Sequence, residues 1–246
     1  MRNVWTIARR EYKLFFISPV AYIVAFFFMI LLGWFFYIAL RDAIIQATYQ
    51  SYAPTVQIII SPLVTLLLFV MPAITMRSIA EEMRMGTMEL LLTAPVKDWE
   101  LVVGKWLGAF LFMLSLLAVT WIFPIMLNFL VEPGVDQGIL LSGYLGLILM
   151  VASLLAIGVF ISSLFNNQLV VFLVSLAIVL MFWLVRPSST TTGGLGTQIL
   201  TYLNFIDHYL NFYQGTIDLS DIVYYMSVTS LGLFLGTVSV EMRRWR

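Results

Sequence analysis

Residues 139–165 read ILLSGYLGLILMVASLLAIGVFISSLF, an apolar run without a single charged side chain. About 20 apolar residues are enough to cross the hydrocarbon core of a bilayer as a helix. Because lipid offers no partner to a backbone N–H or C=O group, a helix is the conformation that satisfies such a run in a membrane. The stretch therefore predicts a transmembrane helix.

Five further apolar runs flank this one along the chain. Hydrophobic residues make up 61% of the sequence and charged residues only 11%, with a mean hydropathy of +0.99. Globular chains carry about 25% charged residues, so this composition excludes a soluble enzyme. We predict an all-α polytopic membrane protein that forms a single membrane domain over residues 1–246. Its six predicted transmembrane helices are Val20–Leu40, Ile58–Met76, Leu101–Val131, Ile139–Phe165, Leu169–Val185 and Ile222–Val240.

The distribution of Lys and Arg predicts the orientation of the six spans. Cytoplasmic loops carry an excess of these residues. Eleven of the 13 lie on one side when the spans are counted in order. The sequence therefore predicts that both termini are cytoplasmic. The eleven residues are Arg2, Arg9, Arg10, Lys13, Arg77, Arg84, Lys97, Lys105, Arg243, Arg244 and Arg246, whereas Arg41 and Arg186 lie on the other side.

An amphipathic pattern precedes the first span, in residues 1–18. Arg9, Arg10 and Lys13 fall on one face at helical spacing, while Trp5 and Tyr12 fall on another. A basic amphipathic helix of this kind lies in the membrane interface and is attracted to anionic lipid. We predict an N-terminal interfacial helix whose three cations contact the membrane surface. Direct binding of a partner protein is a second role, compatible with the first.

The predicted outer loop, residues 187–221, begins with a stretch rich in Ser, Thr and Gly. It then becomes aromatic and amphipathic from Thr201 to Tyr213. This change of composition predicts a re-entrant or interfacial helix on the outer face. The single His of the chain, His208, lies in this segment. We interpret it as an interfacial polar residue, because a metal site gathers several ligands.

The spans lack the groups that intramembrane chemistry requires. Lys105 is the only charged residue in any predicted span, whereas proton-coupled carriers and voltage sensors depend on intramembrane charge. The sequence contains no H-E-x-x-H or G-x-S-x-G motif, which are signatures of hydrolytic sites. It has no Cys and a formal net charge of zero, which disfavour a thiolate metal site and nucleic-acid binding. We predict no catalytic residue, metal or cofactor, so energy for uphill transport would come from a partner.

The loop between the second and third spans, residues 77–98, contains most of the remaining sequence features that indicate a function. Residues Arg77–Met85 have helical spacing, and Glu81 precedes Arg84 by three residues, as an ion pair on a helix requires. Gly86 can adopt the left-handed conformation that ends a helix. We predict two short helices joined at an elbow, which suits a lever for a cytoplasmic partner; a solvated connection is the alternative. In the second helix Thr87 would cap the first turn, Glu89 would lie near the N-terminus and Pro95 would end it.

This loop also carries a family resemblance. The pattern Glu81-Glu82-x-x-x-Gly86-Thr87-x-Glu89-x-x-x-x-x-Pro95, followed by Gly104-Lys105, resembles that of the permease subunit of an ABC-2-type exporter. The resemblance covers almost the whole chain. The segment Phe212–Asp221 is similar to that of a subgroup that includes gliding-motility-associated permeases and the permease of the copper-processing nitrous oxide reductase system.

The resemblance implies a complex in the bacterial cytoplasmic (inner) membrane. Two permease subunits, identical or different, would form the substrate path, and each would rest on a separate ABC ATPase subunit whose groove receives the loop. An accessory extracytoplasmic protein is a further candidate partner, and the outer loop would bind either that protein or the substrate. The sequence has no Walker A motif, so the two ATPase subunits would bind the ATP. The implied coupling residues are Glu81, Glu82, Gly86, Thr87, Glu89 and Pro95.

Two other functions stay open. A non-transporting membrane scaffold could hold a cytoplasmic partner through the same loop. A passive channel or an ion-coupled carrier is disfavoured by the uncharged spans.

Overall fold

A computed structural model describes residues 2–49, 54–88, 96–132, 134–184, 202 and 204–244. The regular elements in these ranges are all helices. The fold class predicted from the sequence, an all-α polytopic membrane protein, is confirmed. The helices are α1 (Arg2–Ile17), α2 (Pro19–Tyr49), α3 (Gln57–Thr75), α4 (Ala80–Arg84), α5 (Asp98–Thr120), α6 (Ile122–Leu130), α7 (Gln137–Leu164), α8 (Gln168–Leu184), α9 (Phe205–Tyr213) and α10 (Leu219–Arg244).

The six predicted apolar runs correspond to helices of the structure. Within the described ranges, five helical stretches are long and apolar enough to cross a membrane, and α8, with 17 residues, is shorter. The first run extends further than predicted, to Tyr49. The third run is divided into α5 and α6 by a break at Trp121. Pro124 follows the break, and its missing N–H prevents one bond of a continuous helical ladder.

Helix α7 forms the centre of the bundle and packs against α3, α5, α8, α9 and α10. Its residues are small or apolar, so neighbouring helices can approach closely. A Cβ added at Gly146 would lie 2.7 Å from the Cβ of Phe212, and one at Gly158 would overlap Thr75. On α10, a Cβ at Gly232 would lie 2.9 Å from the backbone of Ala156. These glycines therefore serve packing within the chain.

Helix α9 packs on the first turns of α7 through Phe205, Tyr209 and Phe212, which are buried. The Tyr209 hydroxyl donates to the Gly143 carbonyl at 3.2 Å. Burial raises the pKa of Tyr209 well above its ordinary value, so the phenol keeps the proton that it donates. From Phe205 to Tyr213 the predicted aromatic segment is thus a helix whose apolar face contacts protein, and its position relative to a membrane stays a prediction.

A polar cluster fastens α9 to the start of α10. His208 Nδ1 lies 2.7 Å from Asp221 Oδ1, and Asn211 Nδ2 donates to Asp221 Oδ2 at 2.8 Å. The His208 ring stacks on Tyr224 with 3.9 Å between the ring centroids. His208 therefore takes part in a contact between two helices.

The opposite end of the bundle holds the first and last described residues. Ile79, just before α4, is buried in one apolar cluster with Leu101 and Val102 of α5 and Val240 of α10. Asn3 of α1 bonds to Glu100 at the same level. We call this end the terminal end. The loop that carries the predicted coupling residues lies there, beside both ends of the chain.

Candidate coupling site

Helix α4 is short and is fixed to the bundle at its N-terminus. The first N–H groups of a helix have no partner within the helix. Here the Ser162 hydroxyl of α7 accepts bonds from both Ile79 N and Ala80 N, each at 3.0 Å. Both of these residues are fully buried. A single side chain of the central helix thus determines where α4 begins.

The elbow predicted at Gly86 is present. Gly86 has a φ of +71°, in the left-handed region that favours glycine. Thr87 N donates to the Glu82 carbonyl at 3.0 Å and Gly86 N to the Met83 carbonyl at 3.3 Å. This pair of bonds is the Schellman motif that closes a helix C-terminus. The chain therefore turns sharply away from α4 at Gly86, and the Met85 side chain before it is 66% exposed.

Glu82 faces inward from α4 and contacts two cations. Its Oε1 atom lies 2.8 Å from Lys105 Nζ of α5 and 3.4 Å from Arg10 Nη2 of α1. Its Oε2 atom is buried and has no hydrogen-bond partner among the described residues. The neighbouring Glu81 makes no ion pair within those residues, so the predicted pairing of Glu81 with Arg84 is replaced by pairs between helices.

Lys105 completes a four-residue cluster that we call the polar junction: Arg10, Glu11, Glu82 and Lys105. Lys105 Nζ also lies 3.2 Å from Glu11 Oε1, and Arg10 Nη2 lies 2.9 Å from the same oxygen. Two cations and two carboxylates alternate, so the formal charges balance. A buried charge is stable only when it is paired in this way. The junction joins α1, α4 and α5 at one point.

Helix α1 runs along α5 in the same direction and in close contact. A Cβ added at Gly104 would lie 2.7 Å from the Ile7 side chain, and one at Gly108 would lie 2.5 Å from Glu11 Cβ. The Tyr12 hydroxyl and Ser115 Oγ are 2.9 Å apart further along the pair. Two glycines one turn apart thus make the groove into which α1 packs.

The residues predicted from the sequence occupy different places in this site. Glu82 lies in the polar junction, Glu81 lies beside it and Gly86 forms the elbow. Thr87 donates from its hydroxyl to the Glu82 carbonyl at 3.3 Å. Glu89 and Pro95, the other two predicted coupling residues, lie outside the described residues. On α1, Arg9 and Lys13 are exposed and Arg10 joins the junction.

Comparison with known families gives this geometry a context. A family model described as ABC-2 family transporter protein matches residues 5–241, nearly the whole chain. The chain belongs to the ABC-2 transporter family. It is therefore a membrane permease subunit of an ABC transporter, and such a subunit works with an ABC ATPase. A search of curated proteins gives no significant match.

The sequence analysis did not predict three residues of this site: Glu11, Lys105 and Ser162. Two of them carried a signal. Glu11 is an acid inside a basic helix, and Lys105 is the only charge in an apolar run; each is costly alone and indicates a partner of opposite sign. Ser162 had no comparable signal, because a hydroxyl in a buried helix also satisfies itself on its own backbone.

Proposed function

We propose that this ABC-2 permease is the membrane subunit of an ATP-driven exporter. Two permease subunits would form the substrate path in the bacterial cytoplasmic membrane. Each would be coupled to one ATPase subunit through the loop of residues 77–98. The charge distribution of the loops supports a cytoplasmic location for the terminal end.

The observation that supports coupling through this loop is the polar junction. Helix α4 presents an exposed elbow at Met85 and Gly86, while its inner face is bound to α1, α5 and α7. A force on the elbow would therefore reach three helices at once. Helix α1 continues into α2 after Ser18, and α5 and α7 line the centre of the bundle. Closure of the ATPase pair would move these helices together and open a path between the two permeases.

Glu81 and Glu82 would have separate tasks in this mechanism. Glu82 is held by Lys105 and Arg10 and would transmit movement into the bundle. Glu81 takes no part in the junction and would contact the ATPase. The loop would thus combine an outer docking side with an inner transmitting side.

The test is co-purification and transport with matched variants. We expect Glu81→Lys to reduce the amount of ATPase recovered with the permease. Glu82→Gln should retain the ATPase but lose transport per ATP hydrolysed. Glu132→Gln, which removes an exposed carboxylate near the opposite end of the bundle, serves as the control and should behave as the wild type.

Two results would contradict the proposal. Recovery of the wild-type permease from its native membrane without any ATPase would exclude this mode of coupling. Recovery of an ATPase in a complex that hydrolyses ATP but moves no substrate would favour the alternative function, a non-transporting membrane scaffold.

A further inference from the structure

Two cations of α1 lie outside the polar junction. Arg9 and Lys13 are one helical turn apart and exposed, and neither makes an ion pair with a described residue. Like charges at this spacing destabilise a helix by a few tenths of a kcal/mol. The neighbouring Arg10, in contrast, is held by Glu11 and Glu82. The sequence predicts all three cations on one face. In the structure Arg9 and Lys13 stay together, whereas Arg10 turns toward the polar junction.

Arg9 and Lys13 border a groove of about 740 Å³ between α1 and α5. Its floor is formed by apolar side chains of α5, among them Leu111 and Leu114. Trp5 and Tyr12 line the same groove, so the prediction that they lie on a different face from Arg9 and Lys13 is wrong: residues three, four, seven and eight positions apart share one face of a helix. The site therefore has a positive rim and an apolar floor.

The groove continues toward the first predicted span. A second cavity of about 420 Å³ shares Ser115 with it and extends between α1, α2 and α5. Phe16, Tyr22 and Phe26 line this part, which has almost no polar surface. Polarity thus falls steadily from Arg9 and Lys13 toward α2. An occupant that fits must be anionic at one end and apolar along the rest of its length.

We propose that this groove is a binding site for an anionic phospholipid. The phosphate lies between Arg9 and Lys13, and the acyl chains follow α5 past Leu111 and Leu114 into the apolar part. An anionic headgroup neutralises both cations, whereas a zwitterionic headgroup brings a cation of its own to the same place. The lipid would hold the helix that also carries Arg10 and Glu11. The site needs only a membrane, so it stands independently of the proposed coupling.

Native mass spectrometry of the purified full chain tests the site. The protein is offered equimolar phosphatidylglycerol and phosphatidylcholine in detergent, and the retained lipid is measured. We expect the wild type to retain phosphatidylglycerol preferentially. In the double variant Arg9→Gln/Lys13→Gln the ratio of retained phosphatidylglycerol to phosphatidylcholine should fall about 25-fold. Each basic residue near an anionic lipid raises the affinity for that lipid about fivefold.

Two matched variants separate this site from a general effect of charge or folding. Arg10→Gln removes one cation from the same helix outside the groove and should reduce the preference by less than about twofold. Arg9→Lys/Lys13→Arg keeps both charges and should retain it.

Three results would overturn the proposal. The first is equal retention of both lipids by the wild type. The second is a loss of preference in Arg10→Gln as large as in the double variant. The third is an unchanged preference for phosphatidylglycerol in the double variant. If that variant also loses the co-purifying ATPase, the two cations bind the ATPase instead of a lipid.

Discussion

Lys105 Nζ lies 2.8 Å from Glu82 Oε1, and the side chain of Lys105 is 2% exposed. The only charge within a predicted span is therefore bound to the loop that the family resemblance marks as the coupling element. A buried ion pair contributes little net stability compared with a well-packed apolar pair. Its physical effect is to fix one arrangement of α4, α5 and α1, because each charge is costly without the others. Such a fixed arrangement suits three helices that must move together during coupling.

Removing Lys105 should therefore destabilise the terminal end of the bundle. In Lys105→Met, Glu82 and Glu11 remain close together and share only Arg10, whose side chain is half exposed. We expect the free energy of unfolding to fall by about 3 kcal/mol, the lower end of the usual cost of removing one partner of a buried ion pair, because Arg10 stays beside both carboxylates. Reversible unfolding in mixed micelles with sodium dodecyl sulfate measures it.

A double-mutant cycle shows whether the loss comes from the pair itself. The loss of unfolding free energy in Glu82→Gln/Lys105→Met should be smaller than the sum of the losses in the two single variants. Each single change leaves one charge of the pair without its partner, and the double change removes both charges. Simple additivity would mean that the two side chains do not interact, contrary to the 2.8 Å contact.

The packing of α7 against α10 can be tested with a disulfide bond. A Cβ added at Gly236 would lie 3.9 Å from the Cβ of Phe160, close to the mean separation in disulfide bonds. The chain has no native Cys, so the pair Phe160→Cys/Gly236→Cys has no competing thiol. We expect it to cross-link under mild oxidation, with a shift on a non-reducing gel.

A control pair keeps one of the two positions. Phe160→Cys/Gly33→Cys should remain unlinked, since the contacts of Gly33 are with Phe123. Cross-linking of the control pair, or none in the Gly236 pair, would contradict the described packing.

Much of this fold follows from the sequence because its signals are local. A long apolar run predicts a helix whatever its neighbours are, and in the part of the chain that the structure describes each of the six runs is helical for most of its length. Gly86 was predictable for the same reason, since the end of a helix depends on residues a few positions away. Pro124 predicts a kink or local unwinding in the third run, and the break at Trp121 lies three residues before it; the exact position does not follow from the sequence, because a Pro in a membrane helix is compatible with either a kink or a division into two helices.

The contacts that form the site are not local. The amphipathic pattern of α1 indicates an apolar face but does not distinguish lipid from protein as its neighbour. Gly104 and Gly108, a pair of small residues, indicate that another helix packs closely on α5. That helix is α1, about a hundred positions away in the chain, so the sequence does not identify it. The pairing of Lys105 with Glu82 and Glu11, rather than Glu81 with Arg84, likewise depends on which helices meet.

The cluster around Asp221 should stabilise the other end of the bundle. Asp221 is buried and accepts bonds from His208 and Asn211. Asp221→Ala should lower the free energy of unfolding by about 1.5–3 kcal/mol, the usual contribution of hydrogen bonds to a charged group. It should also make the segment of residues 187–221 more susceptible to limited proteolysis, because α9 loses two of its polar contacts with α10. Ser220→Ala, an exposed neighbour, is the control, and equal stability of the two variants would disprove a structural role for the cluster.

The elbow at Gly86 should tolerate only residues that accept a left-handed backbone. No atom of the described residues lies within 4 Å of where its Cβ would stand, so the described residues set no steric limit there and the φ of +71° is the main constraint. Gly86→Val should cost about 1–2 kcal/mol or more, the price of this conformation for a residue with a Cβ, and should reorient the loop. We expect it to lower transport per ATP hydrolysed while insertion into the membrane stays normal. Gly86→Asn, which adopts this conformation more readily, should retain most of the coupling. Reconstitution of both variants with the ATPase in proteoliposomes makes the comparison, and normal coupling in Gly86→Val would exclude a role for the elbow.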